Sequence, residues 1–295
     1  MEPQIQLMIG GAAKAGTTSL LNYLGQHPDV VTHSRRELGY FAVDLIYDRG
    51  FENIFSEYYP DGIESEQILA AKSVMLLYSA KAMERLHEHN DHVEIALILR
   101  NPIERAYSDF HHMSRKGLEP IEDFSEAVWE DPARFGEDWE RRIEADYLSK
   151  GLYSKHIQNL LEYFPREQVH IFLFEDFVDD PISICQQIYR WFPLLDSTFA
   201  PNIETRYNRA AVARSTFMAR LTNSRLYGAG LKQVVRSILG RKRASDVASY
   251  LRSLNEKSIQ PMPIDSDTRA ALAQYYQESN VALEAMLGCD LPHWH

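Results

Sequence analysis

The sequence predicts a three-layer α/β sandwich around a central, mostly parallel sheet. Three observations predict it. Five short apolar runs rich in β-branched residues have the character of strands buried on both faces. Helical patterns lie between them, and a Gly-rich turn joins the first run to the first helix. Taken in order, the expected strands are IQLMIG (5–10), VVTH (30–33), SVMLLYS (73–79), VEIALILR (93–100) and VHIFLFE (169–175). After the first turn, Leu20, Leu21 and Leu24 share one helix face, and HPD ends that helix. Further helices are expected over 81–89, over 102–117 with Pro102 in the first turn, where a missing N–H costs little, and over 154–165.

The 295 residues read as one domain, 1–295, with helical or loop insertions at 117–150 and 201–260. The first insertion is acidic and aromatic. The second carries a basic amphipathic piece, LKQVVRSILGRKR (231–243), which reads as a solvated helix face or as an acceptor-binding or membrane-surface segment.

Charge and cysteine content exclude several classes. With 42 acidic against 31 basic residues the net charge is −11, so no nucleic-acid partner is expected, and any positive field for an anionic ligand must be local. Two cysteines, Cys185 and Cys289, are too few for a disulfide framework or a zinc site. No apolar run reaches the roughly 18 residues of a membrane span, and the N-terminal residues lack a basic signal-type region. The expectation is a cytoplasmic protein with no membrane anchor and no metal.

The turn IGGAAKAGTTSLL (9–21) carries the chemistry. A strand–loop–helix unit aims backbone N–H groups and the positive end of the helix dipole at whatever sits over the helix N-terminus. Gly10, Gly11 and Gly16 allow close approach, and Thr17 and Thr18 bring hydroxyls to the first turn. An ordinary glycine-rich turn capped by one of the threonines would carry the same letters. A nucleotide-triphosphate loop would read G-x4-G-K-[ST]. Here Gly11 and Gly16 have that spacing, but Thr17 stands where the lysine belongs and Lys14 lies inside the turn. The run VEIALIL ends in Arg100, not in a magnesium-binding aspartate.

At these residues the chain resembles the sulfotransferases that use 3′-phosphoadenylyl sulfate (PAPS), most closely the heparan-sulfate-type and bacterial branch. KAGTTSL (14–20) resembles their 5′-phosphosulfate loop, and LILRNPIERAYSDF (97–110) their 3′-phosphate motif. RRELGYF (35–41) resembles the K-E-x-x-F-F segment, with Arg36 where the family has lysine. AKSVMLLYS (71–79) resembles K-S-P-x-Y, with Val74 in place of proline. GLYSKHIQNLLEYFPREQVHIFLFEDFVDDP (151–181) and the ending MLGCDLPHW (286–294) fit as well, so the likeness covers nearly the whole chain.

The resemblance implies a P-loop-NTPase-like sulfotransferase fold, PAPS as donor and adenosine 3′,5′-bisphosphate (PAP) as product, without a metal. Ala15, Gly16, Thr17, Thr18 and Ser19 would hold the 5′-phosphate, and Arg100 and Ser108 would grip the 3′-phosphate. Arg209 or Arg214, in YNRAAVARSTFMARL (207–221), would add a second contact to that phosphate or else serve as a capping arginine. The catalytic set would be Lys14, Glu37, Lys72 and His112. A cation at Lys14 would stabilise negative charge forming on the leaving oxygen. Glu37 would be the general base, Lys72 would touch the sulfuryl group or the acceptor, and His112, one turn beyond Ser108, would share the proton exchange. The implied acceptor is a hydroxyl or amine of a small metabolite, natural product or glycan-like molecule. The acidic insertion raises the expectation of a cationic acceptor such as an alkaloid, although a solvated acidic face has the same composition. Two other readings stand beside this one: a P-loop nucleotide kinase or NTPase, and a non-catalytic nucleotide-binding module. The residues leave the oligomeric state open.

Overall fold

A computed structural model describes residues 3–204, 212–213, 256–257 and 263–294. The chain divides into two compact units, one of Met1–Asn101, Leu152–Asn208 and Gln277–His295, the other of Pro102–Gly151 and Arg209–Tyr276.

The first unit contains, in chain order, β1 (Leu7–Gly11), α1 (Thr17–Leu24), β2 (Val30–Thr32), α2 (Asp44–Tyr47), α3 (Phe51–Tyr58), β3 (Ile68–Lys72), α4 (Ala80–His89) and β4 (Glu94–Leu99). After the second unit's first segment come α8 (Tyr153–Leu161), β5 (Val169–Leu173), α9 (Phe174–Asp179) and α10 (Pro181–Tyr189). The five strands form one parallel sheet in the order β2-β3-β1-β4-β5. Every residue of β1 and β3 is buried, as the near-continuous apolar runs of a parallel sheet require. Helices flank the sheet: α1 packs with α10, and α4 with α8. The α/β class and mostly parallel sheet are those the sequence predicts. In α1, Leu20, Leu21 and Leu24 are all buried. A leucine fully withdrawn from water contributes roughly 1.5–3 kcal/mol, enough to decide which face turns inward.

One strand lies elsewhere than expected. The run 73–79 is a turn with a 3₁₀ segment at Leu76–Tyr78, and the strand is the preceding ILAAK of β3. Ala70 and Ala71 have little strand propensity, so the periodic signal falls on the bulkier neighbours. Those neighbours are buried by a different route. A Cβ built on Gly10 would lie 3.0 Å from Leu76 Cδ2, and one on Gly11 would lie 2.9 Å from Leu77 Cδ2. These two glycines make room for the leucines of the turn, rather than for an approaching anion.

The second unit begins with α5 (Pro102–Arg115), α6 (Phe124–Ala127) and α7 (Trp139–Glu144). It also holds a short antiparallel pair, β6 (Val212–Ala213) with β7 (Glu256–Lys257), and the start of α11 (Ser266–Leu287). Many acids of its 117–150 segment have structural partners. Asp123, Asp131 and Asp138 accept helix N-terminal N–H bonds from Ser125, Ala133 and Arg141. Fully buried Glu119 accepts from Arg134 Nη2 at 2.7 Å and from the Tyr147 hydroxyl at 2.8 Å. The basic segment 231–243 lies outside the described residues. Among the described residues, no helix is long and apolar enough to cross a membrane.

Two histidines in the first unit are held neutral by burial. His89 Nε2 accepts the Ile5 N–H at 3.0 Å, and its ring meets Phe41 and Phe51 edge-on. Burial pushes His89 and His33 down to about 4. The unfolded chain, with ordinary histidines, binds more protons between about pH 4 and pH 6.5. Stability is therefore complete above about pH 6.5 and falls as pH drops towards 4, by at most about 1.4 kcal/mol per pH unit per histidine. Urea unfolding at pH 7, 5.5 and 4.5 should show this slope, and His89→Gln should make it shallower.

Candidate active site

The loop after β1, the ends of β3 and β4, and the segment after β2 meet at the carboxyl edge of the sheet. The connection out of β1 runs to β2 on one side, while β4 and β5 fill the other. A crevice at such a reversal is where open α/β sheets hold ligands.

The loop is tied down by its own backbone. Ala12 N–H donates to Ile98 O at 2.7 Å, Ala13 N–H to the Tyr78 hydroxyl at 3.1 Å, and Ala15 N–H to Ala12 O at 3.2 Å. Lys14 sits at φ 69°, in the left-handed region, at a cost of about 1–2 kcal/mol for a residue with a Cβ. Gly16, at φ 86°, opens α1 and supplies no side-chain cap. A Cβ there would meet the Phe177 ring at 3.0 Å, so both conformation and space call for glycine. The first turn of α1 thus presents its N–H groups without an N-cap side chain competing for them. Ala15 and Thr17 are buried, and Thr18 and Ser19 are half-buried.

Thr18 is drawn into a second cluster. Lys72, the last residue of β3, is 1% exposed. Its Nζ lies 2.5 Å from Glu37 Oε1 and 3.1 Å from Thr18 Oγ1. Burial lowers the Lys72 pKa from its ordinary value, and the Glu37 carboxylate opposes that shift. The other Glu37 oxygen accepts the Val74 N–H at 3.2 Å. A proline at position 74, as in the pattern the sequence resembles, would have no N–H to give, so this second bond comes with the valine. Arg36, beside Glu37, is exposed.

Arg100 follows β4. Its Nη1 donates to the Lys14 carbonyl at 3.3 Å, which joins residues 86 apart in the chain, and its guanidinium lies 4.8 Å from the Phe174 ring centre. The carbonyl of Arg100 accepts the Tyr153 hydroxyl at 2.8 Å. Asn101 Nδ2 donates to His293 O at 2.5 Å, and buried Trp294 packs against Tyr153 with ring centres 5.8 Å apart. The chain's last residues therefore brace the segment that carries Arg100. The sequence alone does not mark Tyr78, His33 or Tyr153 as site residues. Tyr78 and Tyr153 lie inside quoted motifs, and His33 closes an expected strand, but only their hydroxyl and ring partners mark them.

Ser108 and His112 belong to the second unit, both half-buried and one turn apart on α5. His112 Nδ1 is 3.1 Å from Arg115 Nη2. The neighbouring His111 ring packs edge-on against Tyr107 and Phe110 instead. Fully buried Arg105 anchors α5 through Asp109 and the Tyr147 carbonyl, and Lys150 Nζ meets Asp109 at 2.5 Å. Arg209 and Arg214 lie outside the described residues.

The parallel α/β sheet thus carries a cation inside its first loop, an arginine at the strand end on one side of that loop and a lysine–glutamate pair at the strand end on the other. The comparisons with known proteins give the family. The model of the sulfotransferase domain family matches residues 4–206, and the chain belongs to that family. It is 24% identical over 302 residues to the human bifunctional heparan sulfate N-deacetylase/N-sulfotransferase 3, a match covering 98% of this chain and 31% of that protein. It is 29% identical over 192 residues to the mouse heparan sulfate glucosamine 3-O-sulfotransferase 5, covering 63% of this chain and 53% of that one. The chain thus spans about a third to a half of the length of these relatives. A crystal structure of a sulfotransferase from Alicyclobacillus acidocaldarius has the same fold, with a TM-score of 0.69 and 22% identity over 99% of both chains.

Glu37→Ala should leave the Lys72 ammonium buried without its counter-charge and lower the unfolding free energy by about 1–3 kcal/mol. Glu37→Gln, whose single carbonyl oxygen can still accept from Lys72 although its NH2 cannot accept the Val74 N–H, should cost less. Chemical denaturation of the two variants measures the difference.

Proposed function

We propose that the chain moves a sulfuryl group from PAPS to a hydroxyl or amine of a small metabolite, natural product or glycan-like acceptor, releasing PAP. The observation that carries the proposal is the hold of Arg100 on the Lys14 loop, in front of a helix with no N-cap side chain. The donor has two anionic ends, and this chain has two sets of groups suited to them. The first-turn N–H groups of α1 with Thr17, Thr18 and Ser19 suit the 5′-phosphate, and Arg100 suits the 3′-phosphate. In the transfer, the bond between sulfur and the bridging phosphate oxygen breaks as the acceptor oxygen or nitrogen bonds to sulfur. Lys14 balances the charge left on the bridging oxygen. Glu37 takes the acceptor's proton, and Lys72, held against Glu37, keeps the carboxylate turned towards its place. No metal enters this scheme.

The names of the relatives, which specify glucosamine O-sulfation and N-sulfation, support a sugar-like hydroxyl or amine among the acceptors. The acids of 117–150 that cap helices or pair internally lend no weight to a cationic acceptor. Cytoplasmic placement stays within the proposal, supported by the two free thiols of Cys185 and Cys289.

Calorimetric titration with PAP tests the donor site. The wild type should bind, and Arg100→Ala should bind at least about tenfold more weakly. No binding by the wild type, or unchanged binding by the variant, would overturn the reading. Lys14→Ala should lose about 10²–10³-fold in turnover while keeping PAP affinity within a few-fold. The same titration and assay in Ser108→Ala, His112→Ala and Arg214→Ala test the roles the sequence suggests for those residues. Incubation with PAPS and a metabolite library, read for a mass gain of one SO3, identifies the acceptor.

A further inference from the structure

The segment that carries Glu37 leaves the sheet and returns to it. β2 pairs with β3 through Val30 with Ile68, Val31 with Leu69 and Thr32 with Ala70, and there the ladder stops. The chain bulges outward over the next residues and comes back at Leu38, whose N–H donates to the Lys72 carbonyl at 2.8 Å. Had β2 run on, its next backbone carbonyl would have served the Lys72 N–H. That N–H is served instead by a side chain, His33 Nε2, at 3.0 Å.

The other ring nitrogen is used as well. His33 Nδ1 lies 2.6 Å from the Arg35 carbonyl. A backbone N–H can only donate, so Nε2 accepts and Nδ1 carries the single proton, which it gives to Arg35. The ring is buried and meets Tyr58 and Tyr59 edge-on, with centres 6.3 Å away in each case. The entry to the bulge has its own anchor, since the Ser34 N–H and hydroxyl both donate to Tyr58 O, at 2.8 and 3.1 Å. Between that anchor and Leu38, the His33 ring is what joins the bulge to the residue whose ammonium Glu37 meets.

We propose that His33 is a positioning residue, its imidazole standing in for the missing rung of the β2–β3 ladder and thereby setting Glu37 against Lys72. The inference rests on Glu37 and Lys72 acting in sulfuryl transfer. A loop displaced by about 1 Å is enough to cost about 10²-fold in rate while leaving a separate binding surface intact. The neutral state of the ring agrees with the arrangement, because a proton on Nε2 would face the Lys72 N–H.

The test compares His33→Phe, which fills the space without nitrogen, with His33→Gln, whose amide can still accept from Lys72. His33→Phe should lower kcat about 30–100-fold with PAP affinity and the KM for PAPS within twofold. Amide exchange at Lys72 and Leu38 should accelerate. His33→Gln should recover part of both losses. His89→Phe, the other buried histidine, serves as the stability control and should leave kcat unchanged. Wild-type kcat in a folded His33→Phe, or kcat and PAP affinity falling together in both His→Phe variants, would overturn the proposal. If His33→Phe does not fold, nitrogen NMR of the wild-type ring decides: the Nδ1–H form through pH 5 supports the rung, and the Nε2–H form or titration near 6.5 overturns it. Should the wild type bind no PAP, the sulfuryl-transfer reading fails on its own account. Exchange at Lys72 and Leu38 then still judges the rung, and unchanged exchange in His33→Phe rejects it.

Discussion

A lysine ammonium withdrawn almost wholly from water needs a counter-charge within reach. Lys72 is in that position, and Glu37 answers it at 2.5 Å. The pair is asymmetric. The ammonium is enclosed, while the carboxylate side chain keeps 39% of its exposure, so one end is anchored and the other faces solvent. Much of the surrounding architecture follows from that requirement. The strand ending in Lys72 lies inside the sheet and is fully buried, the segment bearing Glu37 returns to it, and the first turn of α1 brings Thr18 Oγ1 close enough to accept a second hydrogen bond from the ammonium.

The neighbouring groups are placed by packing that has little to do with charge. Leu76 and Leu77 rest on the glycines of β1, and this fixes the turn that delivers the Tyr78 hydroxyl to the loop N–H of Ala13. Phe177 presses on Gly16, and Phe174 lies beside the Arg100 guanidinium. The chain's final residues lock Asn101 and Tyr153. Apolar contacts therefore help set the positions of Lys14 and Arg100.

The substitution of valine for proline at position 74 shows how a departure from a familiar pattern acquires a physical meaning. As a letter it reads only as a mismatch. In the fold, its N–H is the second hydrogen bond to Glu37, so the carboxylate is held at both oxygens. The acidic stretch at 117–150 shows the reverse. Its composition suggests a surface tuned for cations, yet several of its acids are helix caps and buried partners of arginine and tyrosine.

The sequence by itself determined the class of fold, the Gly-rich turn between the first strand and the first helix, and the candidacy of Lys14, Glu37, Lys72 and Arg100. Each of these is written locally, in the period of apolar residues or in the spacing of a short motif. The tertiary structure alone decided that β3 is the alanine-bearing segment rather than the bulkier run after it. It alone revealed the His33 ring as a ladder partner and the chain's end as a brace for Arg100. Those features depend on contacts between residues tens to nearly two hundred positions apart, and no local pattern records which distant group will fill a space or accept a hydrogen bond.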